Sequence, residues 1–151
     1  MSIPTIKNIE DALIAAIKAG MTYLRTVDTY EGELDEAKIA LAAKNFPAVL
    51  IYMEKTRITN RAYPLKWQHP VFTMLVCEKN LRGKKEAVQG DITNPGIYQM
   101  LADLFDTLFQ QTLGLEIDPF DIPENAAEEA VITSSVIMVY AAQYGTKCRK
   151  N

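Results

Sequence analysis

The sequence predicts one α+β domain, with two or three helices packed on a mostly antiparallel sheet of about four strands. Three observations predict it. Apolar residues recur at helical spacing in three segments. In four others they alternate or run together, as strands require. The order is helix, strand, helix, strand, strand, helix, strand, so helices and strands do not alternate strictly, as they would around a parallel sheet. At 151 residues the chain has the length of a single domain, 1–151, and can bury about 70% of the surface its unfolded form exposes.

The first helix is expected over 6–19. Ile9, Leu13, Ala16 and Ile17 form its stripe, Glu10 and Asp11 face the positive end of the helix dipole, and Gly20 closes it. YLRTVDTY, 23–30, alternates and reads as a strand. A second helix is expected over 33–44 from Leu34, Ala37, Leu41 and Ala42. Gly32 precedes it, Glu33, Asp35 and Glu36 fill its first turn, and Lys44 stands at its end. PAVLIYM, 47–53, is a strand apolar enough to be covered on both faces, with Pro47 in the first position. PVFTMLVCE, 70–78, is a third strand that alternates. Asn94 as N-cap, Pro95 and a terminal Gly114 bracket the third helix. Its stripe is Tyr98, Leu101, Phe105, Leu108, Phe109 and Thr112. AVITSSVIMVYAAQY, 130–144, alternates throughout. As one strand it would be about 50 Å long, so it either bends or pairs beyond its own sheet. Extended loops are expected at 54–69 and 79–93, the latter punctuated by Gly83 and Gly90, and a short tail at 145–151.

Composition narrows the function. Hydrophobic residues make up 48% and charged residues 23%, as in soluble globular proteins, and a net charge of −3 gives no global field toward nucleic acid or membrane. The longest apolar run, VIMVYAA, is far short of the roughly 20 residues of a membrane helix. MSIPTIKNIED lacks the basic and apolar regions of a signal peptide. Cys77 is expected as a buried thiol in a strand and Cys148 as an exposed, incidental one; a disulfide between them is not expected.

The acidic run TYEGELDE could be a metal or acid–base site, but it lacks calcium-loop spacing and has no histidine nearby. It reads instead as favourable charge at a helix start. His69 is the only histidine and sits in a predicted loop, so any nucleophile–histidine arrangement would depend on it alone. No phosphate-binding glycine motif and no paired metal-ligand spacing is present, and neither cofactor nor metal is expected.

The basic segments are more informative. Lys55, Arg57, Arg61 and Lys66, interleaved with Tyr63 and Trp67, fall in one predicted loop; Lys79, Arg82, Lys84 and Lys85 fall in the next. Together they hold half of the chain's 16 Lys and Arg residues. The two segments flank the third strand at opposite ends. They suit an acidic protein partner, nucleic acid, or simply solvent. Exposed aromatics beside arginine favour a protein interface. Acidic stretches at 31–36 and 116–129 offer a complement within the same chain, which permits head-to-tail association of copies. Val136, Met138 and Tyr140, on one face of the long last strand, are further candidate interface residues.

YEGEL at 30–34, NFPAVLIY at 45–52, GDITNPGIYQMLADL at 90–104 and LGLEIDPF at 113–120 occur in an order and spacing that resemble the Mu-like phage family that includes the product of Mu tail gene K. The resemblance covers roughly 8–145. It implies a tail terminator: a small α+β protein forming a hexameric ring at the head-proximal end of the tail. Such a ring stops tube polymerisation and offers a docking face to the neck. The implied partners are other copies of the chain, the tail tube protein, the neck or connector protein and the sheath, with DNA only as cargo in the lumen. The implied location is the virion, reached by way of the host cytoplasm. The family carries no catalytic residues. Its shared positions fall here on Tyr30, Gly32, Glu33, Leu34 and Pro47, with Ala48 and Val49. The 54–69 segment is more basic and polar than the family pattern. The alternatives are a neck or head-completion protein, a small nucleic-acid-binding module using the basic segments, and an enzyme.

Overall fold

The computed structural model describes residues 3–62, 65–91, 94–134 and 136–150, without the side chains of 60–62 and 65. Its elements are α1 (Ile6–Gly20), β1 (Thr26–Thr29), α2 (Ile39–Ala42) running into a 3-10 turn at Ala43–Asn45, β2 (Ala48–Ala62), β3 (Leu65–Lys79), α3 (Lys84–Gln89), α4 (Gly96–Leu108), β4 (Glu129–Thr133), β5 (Ile137–Gly145) and β6 (Cys148–Lys150). The fold is α+β, as the sequence predicts, but the sheet has six strands rather than four. Its order is β1-β2-β3-β5-β4, with β6 also on β3. Among the described residues only the β1–β2 pair is parallel.

The main core lies between the sheet and the helices. α1 contributes Ile9, Leu13 and Ile17 at four-residue spacing, all fully buried. α4 contributes Ile97, Met100, Leu101, Leu104 and Leu108. They meet Val49, Ile51, Phe72, Met74, Val76 and Met138 from the sheet. A smaller cluster covers the other face: Ala48, Leu50, Leu75, Cys77 and Val139 under Ala43 and Phe46. Residues 48–51 are therefore buried on both faces, and their near-continuous apolar sequence follows from that.

Helix ends depart from the sequence reading in instructive ways. α1 starts from Thr5, whose hydroxyl accepts the Asn8 N–H at 3.1 Å while the Asn8 side chain accepts the Thr5 N–H at 2.9 Å. This reciprocal cap satisfies two otherwise free donors; Glu10 and Asp11 lie beyond the first turn. Gly20 is not left-handed, and the cap residue is Met21. Glycine is needed there because α4 passes so close that a β-carbon would lie 2.7 Å from the Thr107 hydroxyl.

The stripe predicted for the third helix was rotated. Leu101 and Leu108 are buried as expected, but Tyr98 and Phe105 face outward, and Phe109 lies past the end of α4. The helix ends six residues before Gly114, between Leu108 and Phe109. Asn94, the expected N-cap, stands one position further from the helix. The residue before the helix is Pro95, which makes no side-chain cap. The end of β3 supplies a carboxylate there instead. Glu78 is fully buried, and its Oε1 accepts the Lys79 N–H at 2.9 Å while Oε2 has no well-formed hydrogen bond. Burial pushes its pKa up, and the N–H groups of Lys79 and of Gly96 in the first turn of α4 offset part of that push.

The predicted helix over 33–44 shrinks to α2 and its 3-10 extension. Residues 31–38 are successive turns, with Lys38 N–H and Ile39 N–H both bonding the Asp35 carbonyl. Its alanine-rich stripe is too weak to hold a helix against the sheet: Leu34 and Ala42 pack on the smaller cluster, while Leu41 is exposed. The acidic residues consequently line turns, not a helix start.

Both predicted loops contain regular structure. Residues 54–69 belong to β2 and β3, which pair along nearly their whole length, interrupted by bulges at Met53/Lys55 and Asn60/Ala62. The stretch looked like a loop because it is polar on both faces. Solvent on two sides removes the alternation that marks a strand. Pro70 is tolerated inside β3 because it falls in the gap where β5 pairing ends at Val71 and β6 pairing begins at Gln68. Within 79–93 lies α3. The long last strand is in fact two, β4 and β5, folded back on each other, and the predicted tail 145–151 supplies β6. Cys148 is buried there beside Gln68, whose amide donates to its sulfur at 3.4 Å, which corrects its expected exposure.

Candidate interaction surfaces

The distal halves of β2 and β3 form an arm. Among the described residues no strand pairs with the outer edge of β2 beyond Ile51, where the Tyr30 N–H bonds the Ile51 carbonyl at 2.8 Å. The edge from Lys55 to Ala62 therefore presents free backbone groups, which are templates for another chain. Lys55, Arg57 and Ile58 on this edge are exposed. Arg61 belongs to β2, and Tyr63 lies outside the described residues.

Trp67 departs from the reading as a free interface anchor. It is half-buried, paired in register with Arg149, and the Lys147 ammonium lies 4.8 Å from its ring centre. Its aromatic face is engaged by a cation from its own chain. Lys84 and Lys85 are exposed at the start of α3, at the opposite end of β3 from the arm, as the sequence placed them. Met138 is buried in the main core, whereas Tyr140 packs against that core and stays half-buried. Val136 is half-buried in the β4–β5 turn, where its carbonyl accepts the Asn80 N–H at 2.9 Å.

The shared motif positions have structural jobs. The Tyr30 ring lies 5.8 Å from that of Tyr52. Gly32 has φ 90°, a left-handed conformation that glycine adopts freely. The Glu33 carboxylate accepts the Glu31 N–H at 2.6 Å, Leu34 packs on the smaller cluster, and the Phe46–Pro47 bond is cis.

The arm's base forms one wall of an open cleft of about 520 Å³. Lys55, Arg57 and Lys147 line it together with Asp118, Asp121 and Glu124. His69 also lines it, with Nε2 3.1 Å from the Thr59 hydroxyl. The sequence grouped the basic residues and the acidic residues separately; only the fold shows that the 118–124 connector runs beside the arm. That connector is held by Asp121, whose N–H and C=O both bond Gly145.

A second surface was not visible in the sequence. The outer face of α4 exposes Tyr98 and Phe105, and Phe105 stacks on Phe109 with ring centres 4.5 Å apart. Beside them Ile122 and Ala126 complete an apolar groove whose rim carries Asp106 and Glu128. The signal available was the double periodicity of α4, which carries apolar residues on more of its circumference than one core face needs.

The fold is thus a mixed six-stranded sheet carrying a projecting two-stranded arm. The model of the family described as Bacteriophage Mu, Gp37 matches residues 5–147. The chain belongs to that family of Mu-like phage proteins. No curated relative matches it. Among the described residues no helix is long and apolar enough to cross a membrane.

Proposed function

We propose that this protein is a structural component of the phage virion, a tail terminator whose copies close into a ring, six in number, on the head-proximal end of the tail tube. The ring acts by occlusion: it covers the growing end of the tube and leaves the neck a surface on which to dock. It does so by shape, without catalysis or a cofactor. Its partners are other copies of itself, the tube protein and the neck protein, with the sheath as a further neighbour.

The single observation that carries this reading is the arm, a strand edge left open from Lys55 to Ala62 in a chain that belongs to the Mu Gp37 family. An open edge is a means of adding a neighbour, and monomeric proteins usually cover or shorten such edges. Mass photometry and electron microscopy of the purified chain, alone and with tail tube protein, test the proposal. The expected result is a hexameric ring that caps tube ends and stops their growth. Monomers in both conditions, or tubes that lengthen unchecked, would overturn it. Co-purification with portal protein instead of tube protein would point to a neck role.

A further inference from the structure

We propose that the open edge of the arm, Lys55 to Ala62, pairs with the outer edge of β4, Glu129–Thr133, in the next copy, so that neighbouring sheets join into one. This rests on the ring reading and names the second surface of its contact.

The sheet order leaves two edges without a neighbouring strand among the described residues: β2 beyond Ile51 and the outer side of β4. They lie at opposite ends of the sheet, as a contact repeated from copy to copy requires. Their directions agree too. β2 with β3, β3 with β5 and β5 with β4 are each antiparallel, so β4 runs opposite to β2. Rotation about a ring axis leaves strand directions and sheet faces unchanged, and the junction is therefore antiparallel. Neither KTRITNRA at 55–62 nor EAVIT at 129–133 contains proline, so every residue can donate to the ladder. The arm edge is about 26 Å long, more than the five residues of β4 need.

Charge selects the occupant. Residues 55–62 carry three cations and no carboxylate, whereas 128–133 carry two carboxylates and no cation. Two arm edges laid together would set cation against cation; β4 sets glutamate against them. The faces match as well. Lys55 and Arg57 pair with Val71 and His69, which alternation places on the face of Leu75 and Cys77. Glu129 pairs with Ala141, which packs on that same face. Lys55 and Arg57 line their own chain's cleft, but among the described residues they form no ion pair there, and Glu129 forms none either. Val131, 53% exposed, and Ile58, 52% exposed, each gain a strand beside them. Through β5, β4 stands level with Leu75 to Glu78, while the open edge runs on past Ile51, so adjacent copies are displaced along the strands. A ring closed through its strands is built with such a stagger.

Selective crosslinking tests this. Cys77 and Cys148 are both buried, so cysteines introduced at exposed positions react alone. Thr56 and Ala130 are exposed, uncharged and on the face opposite the charges, where they pair with Pro70 and Tyr140. The full-length double variant Thr56→Cys with Ala130→Cys is treated with a short bismaleimide under conditions where the wild-type chain is assembled, alone or on tube protein. The expected product is a ladder of covalent multimers reaching the closed ring, while each single variant gives none. Hydrogen exchange on the wild-type chain is the second measurement: alternate amides of 55–62 and of 129–133 are expected to slow at least about tenfold on assembly. Charge reversal is the third: Glu129→Lys is expected to weaken assembly about tenfold, and adding Arg57→Glu to recover it. Unfolding transitions matching wild type confirm that the variants fold. If rings form but the double variant yields no ladder, or a single variant crosslinks to itself, or either segment keeps its exchange rate, the edge-to-edge contact is wrong and the ring stands. If the wild-type chain forms no ring with or without tube protein, the ring reading itself falls and takes this contact with it.

Discussion

β2 and β3 are each one continuous strand, yet their two halves live under different conditions. From Ala48 to Ile51 and from Phe72 to Cys77 every side chain is buried, enclosed by helices on one face and by Phe46 and Ala43 on the other. Past the bulge at Met53/Lys55, β2 carries exposed side chains and, among the described residues, has no neighbouring strand on one edge. The backbone pairing is the same in both halves; what differs is what the side chains meet. Stability should therefore be concentrated in the first half and association in the second.

The comparison can be broken by substitution. Phe72→Ala removes the largest fully buried side chain of β3 and should cost about 3–5 kcal/mol, read as a drop in urea midpoint. A loss below about 1 kcal/mol would mean the body is not where the stability resides. Glu78→Gln sharpens the picture at the other end of β3. The folded protein holds the Glu78 proton more tightly than the unfolded chain does. Its contribution is thus fully present below the ordinary glutamate value of 4.5 and is lost as pH rises through the elevated folded value. The variant should flatten that decline and gain on the order of 1 kcal/mol at neutral pH, measured by urea unfolding across pH 4 to 8. Thr5→Ala removes the reciprocal cap of α1 and should cost about 1 kcal/mol, seen in the thermal transition. Ile58→Ser on the arm should change stability by less than about 0.5 kcal/mol while weakening assembly. An equal loss of stability there would erase the distinction between the halves.

Those halves were unequally legible in the sequence. The body announced itself because burial imposes apolar patterns: Ile9, Leu13 and Ile17 give α1, and Ala48 to Ile51 give the doubly covered strand. The arm is hard to read because its β2 side chains from Lys55 to Ile58 are exposed, so its pairing is a backbone property that residue types do not report. The 33–44 segment failed for the opposite reason, since alanines at helical spacing imitate a helix whose residues find other neighbours. Composition marks Lys55 and Arg57 as part of a basic segment, and both are exposed on the arm. The groove of Tyr98 and Phe105 was missed because those residues were assigned to the core stripe of their helix, and only the packing of Ile97, Met100 and Leu104 shows which side α4 turns inward. Cys148 was misjudged because the pairing that buries it is made with a strand far back in the sequence.

The central position of β3 has a consequence for synthesis. On one side it pairs with β2, its hairpin neighbour, and on the other with β5 and β6, which are made last. As the chain leaves the ribosome, an apolar hairpin must wait for its second partner, on the order of several seconds at about 5–20 residues per second. During that interval Phe72, Met74 and Val76 lie on a strand with a naked flank. Chains cut short before Ile137 should accumulate as insoluble material, whereas those reaching Lys150 should not, and host chaperones would find their main task in this protein during that delay.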